Sequence, residues 1–79
     1  MITPSQCRMA RVGLGWGVRD LARAAQVGVA TVNRFETGQV KPTKANLAAI
    51  QAALETAGGE FKPDGSVRLR EQPAEVKAS

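Results

Sequence analysis

Residues 14–38 read LGWGVRDLARAAQVGVATVNRFETG, and this stretch decides the fold. The alanine-rich part from residue 18 to about residue 25 predicts a short helix, and residues 26–28 predict a turn. A further short helix is predicted from residue 29 to about residue 36, because its apolar side chains recur at helical spacing. Two short helices joined by a turn of about three residues form the helix-turn-helix arrangement.

Helices are also predicted on both sides of this pair. Thr3 and Pro4 mark the start of a first helix, since a hydroxyl can cap a helix and proline suits its first position. Thr43 caps a fourth helix, whose apolar residues keep helical spacing until the glycines at 58–59 end it. We therefore expect a mainly α, compact four-helix domain over residues 1–59.

The period of the apolar residues changes after the fourth helix. Residues 62–66 carry a strong turn signal and residues 67–70 alternate apolar with basic, so residues 60–70 are expected to form a β-hairpin or short strands. An isolated hairpin is marginal in water, so its apolar side chains should either pair with a second chain or cover the end of the fourth helix. The predicted dimer contacts are the apolar side chains of this hairpin, Phe61, Val67 and Leu69. Residues 71–79 are polar and predict a disordered tail.

The residue inventory excludes several kinds of site. A single cysteine, Cys7, rules out an internal disulfide and is best explained as a small buried side chain. The absence of histidine removes the usual zinc ligand and the commonest general base. We expect no enzyme, no metal and no cofactor, and in 79 residues no ligand-sensing domain. The sequence shows neither a membrane-spanning run nor a signal-peptide layout, so a cytoplasmic protein is expected.

The net charge of +4 is concentrated in the first half of the chain. Residues 1–42 contain six basic and two acidic side chains, whereas residues 43–79 contain five of each. A basic half favours a polyanionic partner, either nucleic acid or anionic lipid, and an ordinary solvated surface is the alternative.

The third helix presents a polar face to solvent. At about 100° per residue, Val32 and Phe35 define its buried side. On the opposite side, Arg34 can donate to guanine O6 and N7, Asn33 can pair with adenine, and small apolar side chains can pack on thymine methyl groups. For each residue alone, simple exposure to water is the better explanation, but the combination favours reading of double-stranded DNA. The predicted base contacts are Val29, Ala30, Asn33 and Arg34.

Basic and hydroxyl side chains flank this face where DNA phosphates would run. Such contacts supply affinity and register rather than discrimination between bases. A solvated charge is the alternative for each basic residue, and a local ion pair is a further alternative for Arg23. The predicted backbone contacts are Arg19, Arg23, Thr31, Thr37, Lys41 and Lys44.

Two segments, LGWGVRDLA at 14–22 and VGVATVNRFETG at 27–38, resemble the Cro/C1-type (XRE) family of bacterial and phage regulators. The resemblance covers about residues 4–57 and depends on the combination of LA, ATV, E-x-G and a proline before the fourth helix. It implies a lambda-repressor-like domain. Gly17, Gly28 and Gln26 depart from the family's capping and turn residues, and Val18 replaces a polar residue that often contacts a phosphate.

The resemblance also implies an ion pair between Arg11 and Glu36. The helical wheel places Glu36 beside the buried edge of the third helix, where an unpaired carboxylate would be costly.

Taken together, these features of the sequence predict a homodimeric repressor or autoregulator that binds a palindromic operator. The alternative is a protein-interaction module, such as an anti-activator or an antitoxin-like protein, which the apolar Val18, Val29 and Ala30 would suit.

Overall fold

The computed structural model describes residues 2–70, which form four helices followed by a two-stranded antiparallel sheet. The predicted fold class, mainly α with a short C-terminal hairpin and a helix-turn-helix at its centre, is confirmed. The predicted tail at 71–79 lies outside the described residues. The elements are α1 (Pro4–Gly13), α2 (Val18–Ala25), α3 (Val29–Glu36), α4 (Lys44–Ala57), β1 (Gly59–Phe61) and β2 (Val67–Leu69).

Local hydrogen bonds fix where the helices begin. At the start of α1, the Thr3 hydroxyl accepts from the Gln6 backbone N–H at 3.1 Å, and the Gln6 side chain accepts from the Thr3 N–H at 2.8 Å. Thr43 caps α4 through its hydroxyl. Gly17 has no side chain to cap α2, but its own N–H donates to Asp20 at 2.7 Å. Asp20 therefore supplies half of a capping box from the first turn of α2.

The turn between α2 and α3 contains a strained residue. Gln26 has φ of 59°, in the left-handed region, and is the one residue other than glycine with positive φ among residues 2–70. The N–H of Val27 donates back to the carbonyl of Ala22 at 3.0 Å, so the chain closes α2 in the manner of a Schellman motif. A side chain in this conformation costs about 1 kcal/mol relative to glycine.

The core lies between the helices and takes one side of each. Helix α2 packs against both α3 and α4, and α1 packs against α3, α4 and β2. No helix among the described residues combines the length and the apolar character needed to cross a membrane. The fully buried side chains with the largest volumes are Leu21, Ile50, Leu54, Val32 and Cys7.

The hairpin lies against α1 and α4. Its register pairs Gly59 with Leu69 and Phe61 with Val67, so these four residues share the inner face of the sheet. Phe61 and Val67 are half-buried and pack against the helical core. Leu69 is 37% exposed and packs on Gly13 of α1. A Cβ added at Gly13 would lie 2.6 Å from Cδ1 of Leu69, which is closer than van der Waals contact.

Candidate nucleic-acid interface

Helix α3 turns one side to the core and the other to solvent. Val32 and Phe35 are buried, as the helical wheel predicts. Ala30, Asn33 and Arg34 are exposed, and Val29 at the flank is 40% exposed. Neither the side-chain amide of Asn33 nor the guanidinium of Arg34 makes a hydrogen bond or ion pair to another residue within 2–70. Both groups therefore keep their full hydrogen-bonding capacity for an external partner.

A cleft of about 210 Å³ adjoins the exposed face of α3. It brings together three of the predicted DNA contacts, Thr31, Arg34 and Lys41, although they are up to ten positions apart. Thr43 and Asn46, at the start of α4, complete the polar part of the lining. Sequence reasoning placed neither of these last two residues beside α3, because the only signal at Thr43 is that of a helix cap.

The remaining predicted backbone contacts occupy other positions. Arg19 and Arg23 are exposed on α2 and lie one helical turn apart, outside the cleft. Within the described part of the chain, the Arg23 side chain has no hydrogen bond or ion pair, which removes support for the local pairing considered above. Lys44 is exposed at the first position of α4.

Thr37 already uses its hydroxyl proton. Its Oγ1 donates to the carbonyl of Asn33 at 2.9 Å and lies 3.3 Å from the carbonyl of Arg34. A phosphate oxygen needs a donor, and this hydroxyl retains only acceptor capacity in that position. Thr37 therefore closes the end of α3 in this structure, and contact with a phosphate would require its side chain to rotate.

The electrostatic character of this region is basic. Between residues 29 and 46, the charged side chains are Arg34, Glu36, Lys41 and Lys44. The single carboxylate is turned inward, because Glu36 is only 5% exposed. The exposed charged side chains between residues 29 and 46 are therefore all basic, which suits a polyanion.

The buried carboxylate of Glu36 is held by α1. Arg11 donates from Nε to Oε2 at 2.8 Å and from Nη2 to Oε1 at 2.9 Å, in a two-pronged ion pair. A third bond runs from Arg11 Nη1 to the carbonyl of Trp16 at 3.0 Å. One guanidinium therefore connects α1, the turn before α2, and the end of α3.

Two further α1 side chains meet the same residue. The Cys7 thiol lies 3.4 Å from Glu36 Oε2, and Arg8 Nη1 donates to the main-chain carbonyl of Glu36 at 2.8 Å. Sequence reasoning identifies Cys7 only as a buried apolar group and gives Arg8 no role. No pattern in the sequence marks an arginine whose partner is a backbone carbonyl 28 residues away.

The environment of this cluster controls its protonation. Burial and the neighbouring Glu36 carboxylate raise the pKa of the Cys7 thiol to about 12. The hydrogen bonds from Arg11 to Glu36 raise the pKa of the guanidinium further above its ordinary value. Cys7 is therefore an unreactive thiol and Arg11 a permanent cation, which suits a structural cluster rather than a catalytic one.

The sequence is similar to a known domain family. A family model described as a helix-turn-helix domain matches residues 6–62, which include all four helices apart from the first two residues of α1. A comparison with curated proteins finds no match.

Proposed function

The chain belongs to the helix-turn-helix domain family, and from this premise we propose that it is a sequence-specific regulator of transcription that binds double-stranded DNA. The observation that carries the proposal is the exposed side of α3, where Arg34 borders a cleft shared with Thr31 and Lys41 and no carboxylate is exposed between residues 29 and 46. A repressor or autoregulator of the Cro/C1 type, acting in the cytoplasm, is the specific form proposed.

In this proposal α3 enters the major groove, which is wide enough to admit a helix. Arg34 donates to a guanine and Asn33 pairs with an adenine, while Val29 and Ala30 pack on thymine methyl groups. The free amide and guanidinium groups and the exposure of all four residues support these roles.

The basic groups around α3 contact phosphates in this proposal. Lys41 and Thr31 lie in the cleft with Asn46, next to the N-terminus of α4, where unpaired N–H groups favour an anion. Arg19, Arg23 and Lys44 extend the basic surface on either side. Thr37 is the weakest member of the predicted set, because its hydroxyl already donates within α3.

We further propose a homodimer on a palindromic operator, because one small module reads few base pairs and two half-sites multiply the discrimination. Of the predicted dimer contacts, Leu69 has the best support, since it is partly exposed on β2, whose second edge pairs with no strand within residues 2–70. Met9 and Val12 on α1 are 49% and 61% exposed, and they extend the apolar surface around Gly13. Phe61 and Val67 pack against their own core and would support such an interface from beneath.

The dimer is tested by sedimentation over a concentration series. Leu69→Gln should weaken association while leaving the helical circular dichroism unchanged, and Lys62→Gln in the exposed turn of the hairpin is the matched control. A Leu69→Gln variant that associates as tightly as the wild type would remove Leu69 from the interface.

A protein-interaction module on the same fold is the second candidate function. Val29 is 40% exposed and Val40 is 50% exposed, and both lie at the edges of the α3 surface. Apolar side chains at these positions would suit a protein surface as well as thymine methyl groups.

Binding to random duplex DNA separates the two candidates. A DNA-binding regulator should bind at low salt, and the logarithm of its affinity should fall linearly with the logarithm of salt concentration. Combined replacement of Lys41 and Lys44 by Gln should reduce the magnitude of that slope by roughly two, the change expected for two lost phosphate contacts. Replacement of Lys62 and Arg68 on the hairpin should leave the slope nearly unchanged. Absence of binding at low salt would refute the DNA proposal and favour the interaction module.

A further inference from the structure

The carboxyl-terminal end of α3 is completed by a residue from another helix. A helix leaves its last four carbonyls without an ordinary intrahelical partner. In α3, the carbonyls of residues 33–35 accept from the backbone N–H groups of residues 37–39 at 2.9–3.1 Å. The last carbonyl, that of Glu36, accepts from Arg8 Nη1 at 2.8 Å. Thus α1 supplies the final hydrogen bond at this end of α3.

Helix α3 depends on such contacts for its position. It has eight residues, whereas isolated helices shorter than about 12–15 residues are marginal in water. Its N-cap, Gly28, makes no side-chain hydrogen bond. What holds the helix in place is therefore the burial of Val32 and Phe35 together with the contacts at Glu36.

The two arginines of α1 hold Glu36 in different ways. Arg11 holds the carboxylate, and rotation about the side-chain bonds of glutamate lets the backbone move while that ion pair persists. Arg8 binds the backbone carbonyl itself, so its bond is sensitive to the position of the main chain. A cation at the C-terminus of a helix is also favoured by the helix dipole.

We infer that Arg8 is a positioning residue that fixes the last turn of α3 and hence the direction in which Asn33 and Arg34 project. The inference about base reading rests on the proposed function. The bond to Glu36 itself does not, and it can be tested without DNA. Arg8 is an exposed residue, so its replacement leaves no large cavity.

The first measurement is amide hydrogen exchange on the whole chain. Arg8→Ala should increase the exchange rates of the amides in the last turn of α3 and in residues 37–39 by about tenfold, the scale expected for losing one charge-assisted hydrogen bond. Arg8→Lys retains a cationic donor group and should restore part of the protection. The control, Arg68→Ala in β2, removes an equal charge and should leave these amides unchanged. Unchanged exchange in Arg8→Ala would overturn the inference.

The second measurement compares specific with non-specific DNA binding. The specific probe is the duplex that the wild-type chain enriches from a random library, and the non-specific probe is a scrambled duplex of equal length. Arg8→Ala should lower affinity for the enriched duplex by about tenfold. The dependence of log affinity on log salt should not change, and Arg8→Ala should bind the scrambled duplex as tightly as the charge control Arg68→Ala does. A salt slope reduced by about one, with both duplexes weakened equally, would make Arg8 a phosphate contact and refute positioning.

DNA binding by the wild-type chain separates a wrong proposed function from a wrong role for Arg8. If the wild-type chain enriches no duplex and binds none at low salt, the proposed function is wrong, and hydrogen exchange alone decides whether Arg8 holds α3. If the wild type discriminates between duplexes and Arg8→Ala discriminates equally well, the proposed function stands and the positioning role is wrong.

Discussion

Removal of Arg11 from its buried pair with Glu36 should be among the most destabilising single changes in this chain. Methionine in place of Arg11 keeps much of the aliphatic length but deletes both bonds to the carboxylate and the bond to the Trp16 carbonyl. Glu36 would then remain 5% exposed with only the weak thiol donor of Cys7, at 3.4 Å, as a side-chain partner. The change thus leaves an almost uncompensated buried charge.

The magnitude follows from this exposure. Removing one member of a buried ion pair costs about 3–5 kcal/mol, and the lower end applies here because the Arg11 side chain is 14% exposed. Glu36→Gln should cost only about 1–2 kcal/mol, since glutamine retains an oxygen that can accept from Arg11 and removes the buried negative charge. For a domain of this size, a loss of about 3 kcal/mol lowers Tm by roughly 10–25 °C.

A double-mutant cycle tests the reasoning. Arg11→Met, Glu36→Gln and the combined variant are compared by urea unfolding, with Arg11→Lys as a milder variant that keeps the charge. The double variant should lose less free energy of unfolding than the two single variants together, by about 1–3 kcal/mol. In the double variant the side chain at position 36 is a neutral amide, so removal of Arg11 leaves no buried charge. Strictly additive losses would show that the two side chains do not stabilise the fold as a pair.

Three further outcomes are expected. Arg34→Ala should lose about 1–3 kcal/mol of binding at one guanine of each half-site while retaining the fold; equal weakening of every single-base operator variant would instead identify a phosphate contact. The pKa of Cys7 is raised to about 12, so above pH 9 the folded state binds more protons than the unfolded state. The free energy of unfolding should therefore fall between pH 9 and pH 12, by up to about 1.4 kcal/mol per pH unit. Cys7→Val should lose this contribution to the pH dependence, and a variant with the same pH profile as the wild type would contradict the assignment. Gln26→Gly should raise the free energy of unfolding by about 0.5–1 kcal/mol, because glycine adopts the left-handed conformation without strain; Ala24→Gly in α2 is the control and should lower it.

The helices could be predicted from the sequence because their ends are encoded locally. Thr3 with Pro4 and Thr43 mark the first residues of α1 and α4, and the glycines at 58–59 follow the last residue of α4. The two β-strands were predictable from the turn at 62–66 and from the alternation that follows it. Each of these signals acts over a few residues, and local hydrogen bonds then form as the pattern requires.

The contacts that could not be predicted join distant parts of the chain. The bond from Arg8 to the Glu36 carbonyl leaves no trace in sequence, since any residue could provide that acceptor. The cleft that joins Arg34 to Asn46 depends on how the loop before α4 folds back. The Arg11–Glu36 contact could be predicted only through the family resemblance, because the helical wheel shows that Glu36 needs a partner without showing which one.

The free outward side chains of α3 have a consequence for how this protein can change over generations. Ala30, Asn33 and Arg34 are exposed, and the two polar side chains among them make no internal bond within residues 2–70. Substitutions there should change stability by no more than about 0.5 kcal/mol. The inward side of the same helix bears the structural constraint, through Val32, Phe35 and Glu36. On the proposed function, a duplicated copy of this chain could therefore acquire a new target sequence by a few substitutions on one helix face, without first needing compensating changes in the core.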